Sequence, residues 1–383
     1  MGAFMGVVAI LGWIFVALGL AGAAYALMAA GFARRFAARD EGGIENFPAV
    51  SILKPLHGDE PALEANLETF LAQDYPAPCQ YVFGVQSPDD AAIAVVERLL
   101  KRHPAADAVL VVDKARHGTN PKIANLMNMR GAIRHDVVIL SDSDIAVEAG
   151  YLRRIAAALA PERVGAVTCV YTGWAAAGLV SRLSAMGVSY HFLPNVMAGL
   201  GLKMTAPCFG STIALKGKVL REIGGLAAFA DQLADDNEIG RAVRAKGYEV
   251  AIPPFAVRHA ATETTGSEWL SHELRWMRTI RTVDPAGHAG SLVTHAIPLA
   301  FLGLILTGWA PVAWGALATT ILARLVLKWC IDTAFGEPAG PYWLMPVRDV
   351  LTFCVFVTSL FGSAVVWQKE RLRVGGDGAL SGR

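Results

Sequence analysis

Val137-Val138-Ile139-Leu140-Ser141-Asp142-Ser143-Asp144 joins four consecutive apolar residues to two carboxylates placed two apart. A short, largely β-branched run that ends at polar residues is the pattern of a strand buried on both faces. Three further runs share it: Ala49–Leu53, Gln80–Val85 and Ala108–Val112. Helix-like stretches lie between them, notably Pro61–Ala72 and Asp89–Arg102. Strand–helix alternation implies an α/β sheet with crossover connections. Ligands of such sheets bind outside the carboxyl ends of the strands, so the polar residues directly after each strand carry weight.

Those residues are acidic here. Gln86-Ser87-Pro88-Asp89-Asp90 follows the second run, and Asp142 and Asp144 follow the fourth. Residues two apart in an extended chain share a face, so Asp142 and Asp144 can converge on a hard cation. Mg²⁺ or Mn²⁺ is typically held by one or two carboxylates, with substrate phosphates completing its shell. The plainer alternative is a polar strand end in which Asp144 caps a helix. A further acidic cluster, Asp235-Asp236-Asn237-Glu238, opens the helix-like Glu238–Lys246. It reads either as helix capping or as the source of a general base.

Farther out, the composition changes. The 383 residues are 54% hydrophobic and 17% charged, too apolar for an ordinary soluble enzyme. Residues 1–32 carry no charge, and residues 289–383 carry 12 of the 67 Lys, Arg, Asp and Glu. The remaining 55 lie between 33 and 288, a density close to a soluble norm. A net charge of +1 argues against nucleic acid as a partner. The five cysteines form no C-x-x-C pair and suggest neither a disulfide framework nor a zinc knuckle.

The uncharged 1–32 stretch is long enough to span a bilayer and lacks the basic start of a signal peptide. Arg34, Arg35 and Arg39 follow it and place the next domain on the cytoplasmic side. Gly290–Ala323 has room for two connected spans with a turn near Trp309–Trp314, or for one span plus a re-entrant piece, and Val350–Trp367 reads as another span, for three to five in all. Trp269, Leu270, Leu274, Trp276, Met277 and Ile280 form an apolar face at helical spacing, while Arg275, Arg278 and Arg281 recur every three residues. That pattern suits a helix lying in the headgroup plane. His272-Glu273 does not open a zinc-protease motif, because position 276 is Trp. Gly199-x-Gly201 lacks the third glycine of a dinucleotide fingerprint. Tyr190–Phe209 reads either as an acceptor entrance or as ordinary packing.

Taken in order, the motifs resemble the ceramide glucosyltransferase family. They are Ser51-Ile52-Leu53-Lys54-Pro55-Leu56, Asn66-Leu67-Glu68-Thr69-Phe70, Asp74-Tyr75-Pro76 and Val85-Gln86-Ser87-Pro88-Asp89-Asp90. Asn120-Pro121-Lys122-Ile123-Ala124-Asn125-Leu126, Ser141-Asp142-Ser143-Asp144, Gly224-Gly225, Asp235-Asp236 and Arg275-Trp276 complete the series. The likeness covers roughly residues 45–285, and the apolar flanks are similar to those of the hopanoid-biosynthesis-associated bacterial branch.

The resemblance implies an α/β fold of the GT-A nucleotide-diphosphosugar transferase type with flanking transmembrane helices. It implies transfer, with inversion, of one sugar (N-acetylglucosamine or glucose) from a UDP-sugar to the hydroxyl of a membrane lipid, a hopanoid polyol or a ceramide-like molecule. By match, Asp90 meets the uridine, Asp142 lies near diphosphate and metal with Asp144 completing the pair, and Asp236 is the general base supported by Asp235. Lys122, Arg275 and Trp276 join the nucleotide-sugar site. His272 stands where the family has Gln or Arg, and imidazole, unlike guanidinium, titrates near neutral pH. The implied organisation is a transmembrane helix over 1–32, a cytoplasmic transferase domain over 33–267 and an interfacial helix over 268–288. A C-terminal membrane region over 289–367 and a basic, flexible tail over 368–383 follow, in a multi-pass protein of a bacterial inner membrane. A processive polysaccharide synthase of the same fold and a non-catalytic lipid-binding scaffold are the competing readings.

Overall fold

The computed structural model describes residues 2–361, 364–367, 370–374 and 380–381. The remainder of the 368–383 tail, Lys369 included, lies outside the described residues. The chain divides into two compact units. One is built on a sheet and comprises Arg39–Ala177, Ala206–Thr262 and Arg371–Arg383. The other is helical and comprises Met1–Ala38, Gly178–Thr205 and Glu263–Glu370, so residues 178–205 leave the sheet unit although they lie within 33–267.

The sheet unit's strands are β1 (Val50–Pro55), β2 (Cys79–Val85), β3 (Asp107–Val112), β4 (Val137–Leu140), β5 (Ile145–Ala146), β6 (Val164–Thr168), β7 (Val170–Ala175), β8 (Ile213–Lys216), β9 (Glu249–Ala251) and β10 (Ala256–Ala261). Seven form one sheet in the order β3-β2-β1-β4-β8-β6-β9. β1 pairs in parallel with β2 and β4, and β2 with β3, as expected of strand–helix alternation. β8 inserts antiparallel between β4 and β6, which makes the sheet mixed. A second sheet, β5-β10-β7, follows directly from the D-x-D turn after β4.

Apolar clusters pack on both faces of the large sheet. Ile52, Phe83, Val95, Leu99, Ile139 and Ile155 belong to one, and Leu53, Val82, Leu126, Val138, Leu140 and Ile239 to the other. β1, β2 and β4 are therefore buried on both faces, as their composition predicts. β3 departs from that expectation. It is an edge strand, and Val109 and Val112 are 37% and 44% exposed.

The helical unit contains two helices long and apolar enough to cross a membrane, Met5–Ala37 and Pro311–Phe335. Pro285–Thr294 with Ala296–Leu306, bent by 61°, would make a third. The helix Met345–Ser359 has 15 residues, roughly 22 Å at 1.5 Å per residue, shorter than a bilayer's hydrocarbon core. The first helix carries glycine where a neighbour comes close. A Cβ on Gly12 would lie 2.8 Å from the Thr307 methyl, and one on Gly19 would lie 2.8 Å from the Ala300 Cβ. Small residues let backbones approach where apolar solvent offers no hydrophobic drive to association.

Three buried cations of this unit each meet a carboxylate. Arg324 forks onto Asp349 at 2.8 and 2.9 Å. Lys328 meets Asp332 at 2.5 Å, and Arg348 meets Glu273 at 2.8 Å. Tyr190, on the π-helical turn Val188–Phe192, donates to Asp332 and accepts from Lys328.

Candidate active site

Local sequence explains how each side chain of the sheet unit is placed. Asn120 caps the helix Pro121–Met129, its side chain accepting from the Ile123 N–H at 3.1 Å, and Pro121 fits the first turn because its missing N–H would be unpaired there. Lys122 is thereby held in the helix's first turn. Its Nζ lies 2.6 Å from Asp142 Oδ1 and 3.5 Å from Asp235 Oδ2. The Asn120 amide also donates to Asp235 at 3.2 Å. Asp235, Asp236 and Glu238 occupy the first turn of the helix Asp235–Ala245, where the helix dipole favours negative charge.

Asp236 accepts from the Gly210 N–H at 2.9 Å and from the Asn237 N–H at 2.7 Å. Gly210 has no room for a side chain: a Cβ there would lie 2.7 Å from both Asp142 Oδ2 and Lys122 Nζ. Asp142, Lys122, Asp235, Asp236 and the Gly210 backbone therefore form one contact group in which three carboxylates share a single lysine.

The electrostatics follow. Burial, reinforced by Asp235, pushes the Asp236 carboxyl up to about 6, against the pull of Lys122 and the two backbone N–H groups. Burial also raises Asp142, with Lys122 opposing it. Burial would lower the Lys122 ammonium, but Asp142, Asp235 and Asp236 outweigh it and hold Lys122 well above its ordinary value.

Asp144 pairs with a residue absent from the sequence reading. His259 on β10 is buried, with Nε2 3.1 Å from Asp144 Oδ2. Glu60 joins the same side of the turn and accepts from Ser143 Oγ at 3.1 Å. Burial and the charge of Asp144 push the Glu60 carboxyl up to about 7. No signal within its own segment marks His259, because β10 reaches the D-x-D turn by pairing antiparallel with β5 and by the Ala260 N–H bond to the Asp144 carbonyl. Asp142, Asp144 and His259 are of the chemistry that holds a divalent ion. Among the described residues, however, no group of three or more His, Cys, Asp or Glu is placed so that it could hold a metal ion, so the protein offers at most a partial shell.

Asp90 is placed differently. One of its oxygens accepts from the Gly58 and Ala92 N–H groups at 2.8 and 2.9 Å, and the other lies 3.4 Å from His57 Nδ1. It thus fixes the loop after β1 and the start of the helix Ala92–Arg102. His272, Arg275 and Trp276 lie in the helical unit on the helix Gly266–Val283, which Thr265 and Glu268 open with a reciprocal capping box. His272 Nδ1 contacts Glu263, and its ring meets Trp276 edge-on at 4.7 Å. Burial alone would raise the Glu263 carboxyl, but His272 overrides it and brings Glu263 down to about 2.

A mixed α/β sheet with carboxylates beyond its strand ends is the architecture of a nucleotide-sugar transferase of the GT-A type. A solved mannosyltransferase, PcManGT from Pyrobaculum calidifontis in complex with GDP-Man and Mn²⁺, is similar in fold. The TM-score is 0.51 at 20% identity, over 92% of this chain and 99% of that one. The model of glycosyl transferase family 21 matches residues 13–380, and the chain belongs to that family. Ceramide glucosyltransferase 1 of Caenorhabditis elegans is 25% identical over 351 residues, 87% of this chain and 73% of that protein. Ceramide glucosyltransferase 3 of the same organism is 28% identical over 61% of this chain, a match that spans half of its own length.

Proposed function

We propose that the protein transfers a single sugar, N-acetylglucosamine or glucose, from a UDP-sugar to a lipid hydroxyl at a bacterial inner membrane, with inversion at the anomeric carbon. The acceptor is a hopanoid polyol or a ceramide-like lipid, and the sheet unit faces the cytoplasm. One observation carries the reading. In a chain of glycosyl transferase family 21, Asp236 is poised near neutrality by burial and Asp235, next to the Lys122–Asp142 pair.

The acceptor oxygen attacks the anomeric carbon as the bond from that carbon to the diphosphate oxygen breaks. Asp236 takes the hydroxyl proton, a role suited to a carboxylate whose proton affinity lies near working pH. Asp235 keeps that affinity high, and Lys122 limits it. Lys122 also stabilises charge that develops on the departing diphosphate by a charge-assisted hydrogen bond. Asp142 and Asp144 would hold Mg²⁺ or Mn²⁺, and the bound ion supplies charge compensation for the leaving UDP. The family resemblance alone assigns Asp90 to the uridine and His272, Arg275 and Trp276 to the nucleotide-sugar.

Full-length protein in membranes, incubated with each UDP-sugar in turn and a lipid extract, tests this directly. Lipid mass spectrometry is expected to show one added hexose or N-acetylhexosamine, reduced by chelation and restored by Mn²⁺ or Mg²⁺. Absence of any sugar-bearing lipid would sink the proposal, and a polymeric product would favour a processive synthase.

A further inference from the structure

Lys54 lies on β1 with none of its surface exposed, inside a sheet whose neighbouring positions are apolar. Its ammonium sits 3.7 Å from the Phe70 ring centroid. It donates to two neutral atoms, the Asp142 carbonyl at 2.6 Å and Ser141 Oγ at 3.2 Å. A buried ammonium without a bonded carboxylate is costly, and an apolar side chain would fill the same strand position at less expense. What Lys54 holds is therefore the informative part.

Ser141 Oγ, which accepts from Lys54, donates onward to the Ser211 carbonyl at 2.9 Å. The adjacent Gly210 N–H is one of the two backbone groups that hold Asp236. A continuous path thus runs from Lys54 through Ser141 to the 210–211 turn, and a second bond from the same ammonium fixes the backbone at Asp142. The two segments carry different tasks, the diphosphate-facing carboxylates on one and the support of the base on the other.

We propose that Lys54 is a positioning residue for the transfer reaction, tying the Asp142–Asp144 turn to the Gly210–Ser211 turn so that both face the donor at a fixed separation. The inference rests on the transferase reading above. Misplacement by about 1 Å at a group remote from the chemistry can cost ~10²-fold in rate. Lys54→Met keeps the length and apolar stem while removing the donor.

The test uses full-length wild type, Lys54→Met, Ser141→Ala and the double variant, with turnover expressed per folded molecule. Lys54→Met is expected to lower kcat about 100-fold while the donor KM stays within about threefold. The double variant is expected to be no slower than Lys54→Met alone, because Ser141 acts through the same path. A kcat within threefold of wild type, or strictly additive losses, overturns the proposal. Hydrogen exchange supplies an arm independent of turnover. In Lys54→Met, residues 141–146 and 208–213 should exchange about tenfold faster together, while β3 is unchanged. Unchanged exchange in either segment also overturns the proposal. If wild type transfers no sugar, the functional reading fails, and the exchange result still decides whether Lys54 ties the two turns.

Discussion

The two units bury charge in opposite ways. In the helical unit three buried cations each meet a carboxylate: Arg324 with Asp349, Lys328 with Asp332, and Arg348 with Glu273. In the sheet unit Asp142, Asp235 and Asp236 crowd one lysine, while Glu60, from the loop after β1, lies beside the Asp142–Asp144 turn. Paired charges offset one another, and their geometry serves packing and register. An excess of carboxylates raises proton affinities and leaves negative charge to be met by something from outside. Perturbed groups gathered at a strand end are what the proposed transfer reaction requires of its site, and paired charges in the helices supply no such excess.

The contrast can be broken experimentally. Asp236→Asn should lower kcat by about 10³-fold or more while donor binding, measured by calorimetry, persists. Retained turnover would remove the reason to separate the two kinds of cluster. In the helical unit, Asp349→Ala leaves Arg324 buried without its acid. It should cost about 3–5 kcal/mol in stability, read as a lowered unfolding midpoint in detergent. Lys122→Met should lower kcat about 10²-fold. It should also move the acid limb of the rate profile to higher pH, because Asp236 loses its nearby positive charge.

In the wild type that limb should lie near pH 6, the value to which burial and Asp235 raise Asp236. The base works when ionised, so the rate should fall about tenfold per unit below that pH and level off above it. A flat profile down to pH 5 would remove Asp236 from the role of base. The smallest effect belongs to an exposed pair. Arg98→Ala, which breaks a contact with Glu64 at 3.0 Å, should change stability by less than about 1 kcal/mol.

Much of the sheet could be read from local pattern, because β1, β2 and β4 are buried on both faces and therefore appear as unbroken apolar runs. β3 shows the limit. Val109 and Val112 look like core residues, yet a place at the sheet edge is a property of pairing, not composition. The antiparallel entry of β8 between β4 and β6 is likewise invisible along the chain, since no residue of Ile213–Lys216 encodes its neighbours. At the site, Asp142, Asp144, Asp235 and Asp236 stood out because carboxylates beside apolar strands or at a helix start are conspicuous. Lys122 emerged only through the resemblance. Lys54, Glu60 and His259 gain meaning from contacts made across dozens or hundreds of residues.

The glycines of the first helix bear on how freely this chain can change. A membrane anchor usually needs only length and apolarity, so one such helix can replace another. Gly12 and Gly19, seven residues apart, each face a neighbour too near for a methyl group. This helix therefore has a defined rotation about its own axis, and an oligo-leucine anchor of equal length should reach the membrane without restoring the fold. The N-terminal segment is a shaped part of the protein as well as its attachment to the bilayer.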